Sequence, residues 1–402
     1  MRKARGVNQS KRVSDFSRRT AESPPLIAFT GGGTGGHIYP GLAVIQAMRA
    51  KGFRGRIAWI GSKKELDRSI VEREGIEYYA VPSGKLRRSF SLRTIGDAFS
   101  VLAGFAASLR LLSSLKPILL FSKGGYVSVP PCWAAASLKI PYFTHESDTS
   151  PGLATRLNAG RAEKILVSWP QTASMLPPPL RARVDVVGNP VRPSLFAGDA
   201  GKGRIFLNAP EGIPIVFFVG GSQGSRQVND IVHAILPDLA GKAFIVHQTG
   251  KELFSQDEHA PLPGRYLALP YIGEEMSDIL AACDMVAGRA GAGTVWESAA
   301  LGKPMVLIPL AGSGTRGDQV ENAEMAEKAG AARCLAGNNA SPGKVLAAIL
   351  AYLQNPKAFE EASAAGLTLS RVKNGQGASM LSADYIANLI LLEIGESAGG
   401  DT

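Results

Sequence analysis

Cysteine is scarce in this chain. The 402 residues include only Cys132, Cys283 and Cys334, which lie far apart and form no Cys-x-x-Cys pair. An odd and scattered set excludes the disulfide framework of small secreted domains and favours a reducing compartment such as the cytosol.

Metal-binding motifs are also missing from the sequence. It has no His-Glu-x-x-His motif, no cysteine cluster and no pair of aspartates two residues apart, and its five histidines are scattered. We therefore expect no metal site and no cofactor. If the protein binds a diphosphate, backbone amides, helix N-termini and a few cationic side chains must hold it.

Apolar runs of the membrane-spanning type do not occur. The longest candidate, Ala98–Leu115, contains Arg110 and four serines. Its apolar residues recur at helical spacing on one side and are Val101, Leu102, Phe105, Leu109 and Leu112. We predict an amphipathic helix rather than a membrane span.

Positive charge is in excess but unevenly distributed. The chain has a formal net charge of +10, and residues 1–24 hold seven Lys or Arg against Asp15 and Glu22, a net of +5. This segment has neither the apolar core of a signal peptide nor any periodicity, so we interpret it as a disordered basic tail. It is either attracted to anionic surfaces or a solvated extension without function.

Apolar strands alternate with helical stretches along the rest of the chain. The predicted strands are Leu26–Phe29, Ile57–Ile60, Ile118–Phe121, Tyr142–Thr144, Ile165–Ser168, Val184–Val187, Ile215–Val219, Phe244–His247, Tyr266–Leu269, Met285–Ala287 and Met305–Ile308. Such alternation predicts parallel sheets covered by helices on both faces, that is, two Rossmann-like doubly wound α/β domains. Sheets of this kind bind ligands at the carboxyl ends of their strands, so we expect the two domains to face each other across a cleft.

The domain boundary is predicted where a Gly-Asn-Pro-Val-Arg-Pro segment interrupts the alternation after residue 187. We place the two domains at 25–190 and 191–375. The tail 1–24 precedes them, and the segment 376–402 follows them. That last segment contains a helix that we expect to pack back toward the first domain.

Each half opens with a strand that runs into a glycine loop and then into a helix, in the segments 27–41 and 216–226. Glycine permits positive φ and close approach of the backbone, and the helix N-terminus that follows favours an anion. A tight strand–helix turn without a ligand is the alternative for either loop taken alone. The repetition of the motif favours anion binding.

Gly31, Gly33 and Gly36 match the dinucleotide-binding fingerprint Gly-x-Gly-x-x-Gly. A nicotinamide site would require an acidic residue at the end of the second strand to bind the ribose diol. That strand ends at Gly61, and the first carboxylate after it is Glu65. This arrangement argues against a dehydrogenase.

A polar cluster follows a strand of the second half, in Gly288–Glu297. Glu297 lies about one turn into a predicted helix, where its carboxylate could accept hydrogen bonds from two neighbouring hydroxyls. The alternative is that it only complements the helix dipole. Asp318, Gln319 and Asn322 begin another helix after an apolar strand, so we expect them at the same edge of the sheet.

Seven motifs occur in a fixed order, namely Phe29–Ala43, Lys123–Tyr126, His145-Glu146, Gly188–Arg192, Gly220–Gly224, Gly293–Glu297 and Asp318-Gln319-x-x-Asn322-Ala323. Together they resemble the MurG family within glycosyltransferase family 28, over about residues 24–390. The resemblance implies a GT-B fold and metal-independent, inverting transfer of N-acetylglucosamine. The implied donor is UDP-N-acetylglucosamine, and the acceptor is an undecaprenyl-pyrophosphoryl-N-acetylmuramyl-pentapeptide of peptidoglycan synthesis.

The resemblance assigns the donor mainly to the second half. Glu297 would bind the ribose diol, the backbone of Ile272 would face the uracil, and Gln319 would contact the sugar hydroxyls. The other donor-binding residues that it implies are Thr34, Gly35, Gly36, Asp148, Arg192, Ser222, Gln223, Gly293 and Thr294.

The resemblance assigns the acceptor to the first half, where two loops suit the lipid-linked pyrophosphate. Their implied acceptor-binding residues are Gly32, Gly33, Gly124, Gly125 and Tyr126.

The attacking muramyl hydroxyl needs a general base. His37 is the first candidate because the reference pKa of histidine, about 6.5, suits the task. Alternatively, His37 only caps a helix or orients a loop. His145-Glu146 closes a strand on the same edge and is the second candidate, so we assign a catalytic role to Glu146 as well.

Some positions depart from the family pattern. Ser147-Asp148 stands where the family usually has Gln-Asn, Ala290 stands where a serine is common, and the Gly312–Gly317 loop is longer and richer in glycine. An aspartate brings negative charge toward a diphosphate. These departures therefore bear on donor affinity more than on reaction type.

Basic and apolar residues are interleaved around the amphipathic helix, at Lys85–Phe90, Arg93, Trp133 and Lys139. The pattern fits a surface that rests on anionic lipid, and we expect a peripheral protein on the cytoplasmic side of the inner membrane. A solvated charged loop beside a core helix is the alternative. Nucleic acid is not an expected partner, because no stacking aromatic pattern accompanies these charges.

Two other functions remain open at this point. A UDP-N-acetylglucosamine 2-epimerase of the same fold would turn over the donor alone and would need no membrane-binding surface. A non-catalytic UDP-sugar-binding protein would draw support from Asp148 and Ala290, and it would be indifferent to His37→Ala.

Overall fold

The computed structural model describes residues 24–84, 92–221, 223–258, 260–312, 317–373 and 377–395. The predicted basic tail up to residue 23, the basic segment Lys85–Phe90, Ser222, most of the glycine-rich 312–317 loop and the last seven residues lie outside the described residues.

The chain forms two compact units. The first contains the described residues up to Ser147, then Pro151–Pro190, and the chain from Met380 onward. The second contains Asp148–Ser150 and Val191–Ser379.

The first unit contains a seven-stranded parallel sheet with the strand order β3-β2-β1-β4-β5-β6-β7. Its strands are β1 (Leu26–Thr30), β2 (Arg56–Gly61), β3 (Glu77–Ala80), β4 (Leu119–Ser122), β5 (Tyr142–Glu146), β6 (Lys164–Val167) and β7 (Val184–Val186). The central strands are buried on both faces, as expected of parallel strands covered by helices. In register, Phe29 of β1 lies between Trp59 and Phe121. The strand order reverses between β1 and β4, which creates a switch point at their carboxyl ends.

Helices cover this sheet, and their bounds are α1 (Tyr39–Ala50), α2 (Glu65–Glu72), α3 (Leu92–Leu115), α4 (Val129–Ser137), α5 (Leu153–Ala159), α6 (Pro170–Met175), α7 (Pro178–Arg181) and, from the end of the chain, α15 (Ser382–Glu393). Helix α15 packs against α1, where Ile386 and Ile390 join the same buried cluster as Leu42 and Met48. The end of the chain therefore contributes to the core of the first unit.

The second unit contains a six-stranded parallel sheet with the order β10-β9-β8-β11-β12-β13. Its strands are β8 (Ile215–Val219), β9 (Phe244–Gln248), β10 (Tyr266–Leu269), β11 (Met285–Gly288), β12 (Met305–Leu307) and β13 (Ala332–Cys334). The switch point lies between β8 and β11. The helices are α8 (Ala200–Leu207), α9 (Arg226–Leu239), α10 (Met276–Ala282), α11 (Ala292–Ala300), α12 (Asp318–Lys328), α13 (Pro342–Leu353) and α14 (Pro356–Leu369), and two short strands, Arg371–Lys373 and Ser379–Leu381, precede α15.

The doubly wound parallel-sheet class is confirmed, and the two strands of its parallel sheets that were not predicted share one property. Strands β3 and β13 each lie at the edge of their sheet. Their burial is partial, so their apolar signal is weak. An apolar-run criterion overlooks short strands of this kind, although it found the edge strand β7, which contains Val184 and Val186.

Helix α3 confirms the predicted amphipathic helix, although one of its residues faces the other way. Val101 and Leu112 are buried, whereas Leu102 is 61% exposed and Phe99 is 69% exposed. None of the described helices combines the length and the hydropathy that a bilayer span requires.

Candidate functional site

In the first unit, the switch point brings together the loops that follow β1 and β4. We call Gly31–Gly36 the first glycine loop. A Cβ atom on Gly31 would lie 2.4 Å from the carbonyl oxygen of His37 and 3.2 Å from the Cβ of Lys123. The loop therefore folds back on itself against the end of β4, and only glycine permits this approach at residue 31.

Gly33 is held by residues that the sequence analysis did not single out. Its N–H donates to Oδ2 of Asp67 at 2.6 Å, and its carbonyl accepts from Nζ of Lys64 at 2.8 Å. The hydroxyl of Ser62 donates to the same Asp67 oxygen, also at 2.6 Å. Asp67 is buried in the first turn of α2, and a lone acidic residue in a helix has no distinctive sequence signal.

Tyr126 lies on the other side of Gly33. A Cβ atom on Gly33 would come within 2.8 Å of the Tyr126 ring and 3.0 Å of its hydroxyl. Burial, with the nearby carboxylates of Asp67 and Asp97, raises the pKa of Tyr126. The phenol is therefore a neutral hydrogen-bonding group at neutral pH.

His37 ends the short 3-10 helix Gly35–His37, and its N–H donates to the carbonyl of Thr34 at 3.1 Å. Its ring covers Gly125, where a Cβ atom would lie 2.9 Å from Cδ2 of the imidazole. The side chain is partly exposed. The structure thus brings the predicted Gly124-Gly125 turn to His37 and the first glycine loop, which lie far earlier in the sequence.

His145 and Glu146, at the end of β5, have structural partners. His145 is fully buried, and its Nε2–H donates to the carbonyl of Gly188 at 2.9 Å. Burial, together with the positive charge of Lys123, holds the pKa of His145 well below its usual range. The imidazole is therefore neutral at physiological pH.

Glu146 organises the chain that follows it. Its Oε2 accepts from the N–H of Gly152 at 2.8 Å and from the hydroxyl of Thr155 at 2.6 Å. These contacts fix the loop that leads into α5, and the carboxylate is 7% exposed. Glu146 therefore positions this loop, and its catalytic role stays a prediction.

In the second unit, we call Gly220–Gly224 the second glycine loop. A Cβ atom on Gly224 would lie 2.0 Å from the carbonyl oxygen of Thr249, and one on Gly250 would lie 2.4 Å from that of Gln223. Two glycine turns, after β8 and after β9, therefore pack backbone to backbone. The side chain of Gln223 is exposed, and the hydroxyl of Ser225 caps α9 by accepting from the N–H of Val228.

Gln248 connects this loop to the segment after β10. Its Nε2 donates to the carbonyl of Gly221 at 3.3 Å, and its Oε1 accepts from the N–H of Ile272 at 3.2 Å. The side chain is 3% exposed. The Ile272 amide, predicted to face a uracil, therefore donates its hydrogen to Gln248, which leaves the carbonyl of Ile272 as the backbone group for a base.

Glu297 lies in α11, after the end of β11, and Arg192 approaches it. Oε1 of Glu297 is 3.4 Å from Nη2 of Arg192, and each side chain is about one-quarter exposed. Burial raises the pKa of Glu297, although the Arg192 guanidinium acts in the opposite direction. The Glu297 carboxylate is thus a partly desolvated acceptor beside a cation, which suits a diol more than a second anion.

The turn that opens α11 is free of close neighbours. A Cβ atom on Gly291 or Gly293 would have no other atom within 4 Å, and Thr294 is partly exposed. There is therefore open space beside this helix N-terminus, the end of a helix that favours an anion. The buried Arg289, which the sequence analysis did not select, braces this turn by donating to Gln227 and to the carbonyl of Ile308.

Asn322 of α12 is buried and forms hydrogen bonds with three residues of the second unit. Its Oδ1 accepts from the N–H and the hydroxyl of Thr149, each at 3.2 Å. Its Nδ2 donates to Oδ1 of Asp148 at 3.1 Å and to the carbonyl of Ala290 at 3.4 Å. Asp148 thus has an amide partner, and Asn322 connects residues 148–149 to the turn before α11. Gln319, near the start of the same helix, accepts from the N–H of Leu310 at 3.0 Å.

Metal and thiol chemistry find no support in these residues. Within the described ranges, no group of three or more His, Cys, Asp or Glu side chains is arranged to hold a metal ion. The three cysteines are unpaired, and burial raises the pKa of the Cys132 and Cys283 thiols to about 12.

Two family models match this chain. The N-terminal domain of glycosyltransferase family 28 matches residues 27–167, and the C-terminal domain of the same family matches residues 215–376.

Curated relatives are similar over most of their length. A protein of Treponema denticola is 47% identical over 79% of this chain and 85% of its own, and one of Treponema pallidum is 44% identical over 88% and 94%. Both are named UDP-N-acetylglucosamine–N-acetylmuramyl-(pentapeptide) pyrophosphoryl-undecaprenol N-acetylglucosamine transferase.

Solved structures agree on the fold. MurG of Acinetobacter baumannii matches with a TM-score of 0.67 and 23% identity, over 92% of this chain and all of that one. A UDP-GlcNAc 2-epimerase of Neisseria meningitidis bound to UDP-GlcNAc matches with a TM-score of 0.62 and 12% identity, over 92% and all of that chain. Since both identities are under 25%, these likenesses establish the architecture, which is the GT-B glycosyltransferase class. The two family models and the curated relatives establish that the chain belongs to glycosyltransferase family 28 and, within it, to the MurG family.

Proposed function

We propose that this protein transfers N-acetylglucosamine from UDP-N-acetylglucosamine to undecaprenyl-pyrophosphoryl-N-acetylmuramyl-pentapeptide, a step of peptidoglycan synthesis. The observation that carries the proposal is the 47% identity to a transferase of that name, spread over both halves of the chain. The transfer inverts the anomeric configuration and uses no metal ion. Loop amides, helix N-termini and cationic side chains neutralise the diphosphate instead.

The domain carrying residues 191–375 binds the donor. Glu297 accepts hydrogen bonds from the ribose diol, and the opening of α11 at Gly293 and Thr294, which has open space beside it, binds phosphate oxygens through the helix N-terminus. The carbonyl of Ile272 serves the uracil, because its N–H is already bonded to Gln248. The further donor contacts are Arg192, Ser222, Gln223, Gln319 and Asp148.

The domain carrying residues 25–190 binds the acceptor. The outward part of the first glycine loop, Thr34–Gly36, is partly or fully exposed and presents backbone groups to a pyrophosphate, and the same three residues also approach the donor. The Gly124-Gly125 turn has positive φ at both residues, and the absence of Cβ atoms lets its backbone approach the acceptor closely. Tyr126 adds a neutral hydroxyl donor, and Gly32 and Gly33 shape the loop from within.

His37 acts as the general base. It removes the proton from the muramyl hydroxyl while that oxygen forms a bond to the anomeric carbon of N-acetylglucosamine. The bond from this carbon to UDP breaks at the same time, and the diphosphate leaves with the electron pair. Attack on the face opposite the leaving group inverts the configuration. The partial exposure of His37, in contrast to the burial of His145, supports this choice.

The protein acts at the cytoplasmic side of the inner membrane as a peripheral protein that rests on anionic lipid. Phe99 and Leu102 support this location, because they are exposed apolar side chains three residues apart on α3 and therefore lie on one helical face. The predicted basic partner segment, Lys85–Phe90, adjoins this helix in sequence. Nucleic acid is not a substrate or partner in this proposal.

Transfer assays test the proposal directly. Purified protein is incubated with labelled UDP-N-acetylglucosamine, a lipid-linked muramyl-pentapeptide and a chelator. We expect label in the lipid fraction with a β linkage. Label that stays in the donor would contradict the proposed acceptor, and conversion of the donor to its 2-epimer without acceptor would establish the alternative activity.

A further inference from the structure

The first glycine loop has an inner and an outer part with different surroundings. Gly31 and Gly32 are buried, whereas Thr34 and Gly36 are exposed, and Gly33 lies at the junction. The peptide groups on both sides of Gly33 are bonded to α2 and its start, through Asp67 and Lys64.

Asp67 is an unusual residue to find beside an anion-binding loop. Its carboxylate is 1% exposed, and one oxygen, Oδ2, accepts both from Gly33 N–H and from the Ser62 hydroxyl. A buried carboxylate is costly unless hydrogen bonds satisfy it, and these two charge-assisted bonds do so. The Gly33 amide is therefore engaged inside the fold and unavailable to a phosphate.

Gly33 is also confined sterically. Its φ of +87° is a conformation that favours glycine, and a Cβ atom there would collide with the Tyr126 ring at 2.8 Å. Gly33 is therefore held by three neighbouring side chains, namely Asp67 and Lys64 on its peptide groups and Tyr126 where a Cβ atom would lie. The outer part of the loop is Thr34–Gly36, and His37 follows it directly.

We propose that Asp67 is a positioning residue for transfer of the sugar to the acceptor. Its carboxylate fixes the Gly33 peptide and thereby holds Thr34–Gly36 and His37 where the acceptor meets them. This inference rests on the proposed function, since it assigns the loop to the acceptor.

Three variants distinguish the positioning role of Asp67 from an effect of its charge and from a general loss of folding stability. Asp67→Ala removes both hydrogen bonds. Asp67→Asn keeps an oxygen that can accept both, but it removes the negative charge. Glu65→Ala is the matched control, because Glu65 is an exposed acid in the same first turn of α2.

In transfer assays, we expect Asp67→Ala to lower kcat/KM for the acceptor roughly 100-fold, since a small misplacement of reacting groups can cost this much. Asp67→Asn should stay within about threefold of the wild type, because the hydrogen bonds rather than the charge do the positioning. Binding of UDP to the second unit, measured by calorimetry, should be unchanged in all three variants. Equal loss in Asp67→Asn and Asp67→Ala, or a loss that only tracks a lower folded fraction, would overturn the proposal.

A readout without catalysis keeps this inference distinct from the proposed function. Hydrogen exchange of the peptide that spans residues 31–37 should accelerate about tenfold or more in Asp67→Ala, but not in Asp67→Asn or Glu65→Ala, as an amide exchanges faster when its hydrogen bond is lost. Unchanged exchange in Asp67→Ala would reject the role of Asp67. Failure of the wild type to transfer sugar would reject the proposed function and leave the exchange result standing.

Discussion

The two glycine loops of this protein occupy equivalent places in their sheets but are held in different ways. The first is held by side chains of a neighbouring helix, with the buried carboxylate of Asp67 on Gly33. The second is held by backbone packing of Gly224 against the turn at Gly250 and by the neutral amide of Gln248. Neither of these two supports carries a negative charge.

Both loops are proposed to bind a diphosphate, so the difference concerns which part of each loop carries its support. A donor loop that lies beside a nucleotide diphosphate gains from uncharged support, because a buried carboxylate next to it would repel the ligand. The first loop uses Asp67 only on its inner part, and its outer part stays open. The same local motif can therefore be fixed by charge or by neutral groups, depending on which end meets the anion.

The largest effect that the comparison predicts is on chemistry in the first unit. His37→Ala should lower kcat about 10²–10⁴-fold, the usual contribution of a general base, while the affinity for UDP stays the same. Single-turnover transfer and calorimetry with UDP measure the two quantities. His233→Ala, which changes a histidine of α9 in the second unit, is the control. A His37→Ala protein with normal turnover would favour a capping role for this residue.

A somewhat smaller effect is expected in the second unit. Glu297→Ala should weaken binding of UDP-N-acetylglucosamine about 100-fold, because two hydrogen bonds to a charged group are lost at roughly 1.5 kcal/mol each. Calorimetry with the donor alone measures this, and Glu324→Ala, at an exposed acid of α12, is the matched control. Unchanged donor affinity in Glu297→Ala would refute the assignment of the ribose diol.

A third variant tests the neutral support of the second loop. Gln248→Ala leaves the Ile272 N–H and the Gly221 carbonyl without their partner, so the affinity for UDP should fall about tenfold, or ~1.4 kcal/mol. Gln354→Ala, at an exposed glutamine after α13, should change nothing. If the two variants bind UDP equally well, Gln248 supports the fold and not the site.

Much of this architecture could be predicted from the sequence because long apolar strands and glycine turns carry strong local signals. The pairing of β1 with β4 places His37 beside Gly125, and the order of doubly wound sheets makes such a meeting foreseeable. Edge strands β3 and β13 escaped notice since half-buried strands resemble loops in composition.

The supporting residues of the site could not be predicted in the same way. Asp67, Gln248 and Arg289 act through contacts with residues 19–62 positions away, and each is a polar residue in an otherwise ordinary helix or strand context. Glu146 illustrates a different limit of sequence reasoning. Its position at a strand end suggested chemistry, but its oxygen is engaged by Gly152 and Thr155. Sequence position indicates which edge a side chain reaches, and only the fold tells what it bonds to.

The smallest expected effect is the pH dependence of UDP affinity, which concerns Glu297 of the second unit. Burial raises the pKa of Glu297 above its ordinary value of 4.5, so the carboxylate gains its proton at a higher pH than an exposed glutamate does. A protonated carboxyl accepts hydrogen bonds from a diol less well. The affinity for UDP should therefore be full above the raised pKa and fall as the pH is lowered through it.

Calorimetry with UDP is carried out on the wild type and on Glu297→Gln between pH 7.5 and about pH 5. The comparison isolates the effect of Glu297 protonation, because titration of the nucleotide phosphates is common to both proteins. The ratio of the two affinities should shrink as the pH is lowered, as one proton is linked to binding. The pH dependence that Glu297 gives to folding stability, without ligand, has the opposite sign. A glutamate with a raised pKa favours the native state at low pH, and this contribution is lost as the pH rises through the raised pKa. A ratio that stays constant over the whole range would mean that Glu297 is fully charged throughout and that its burial does not tune donor binding.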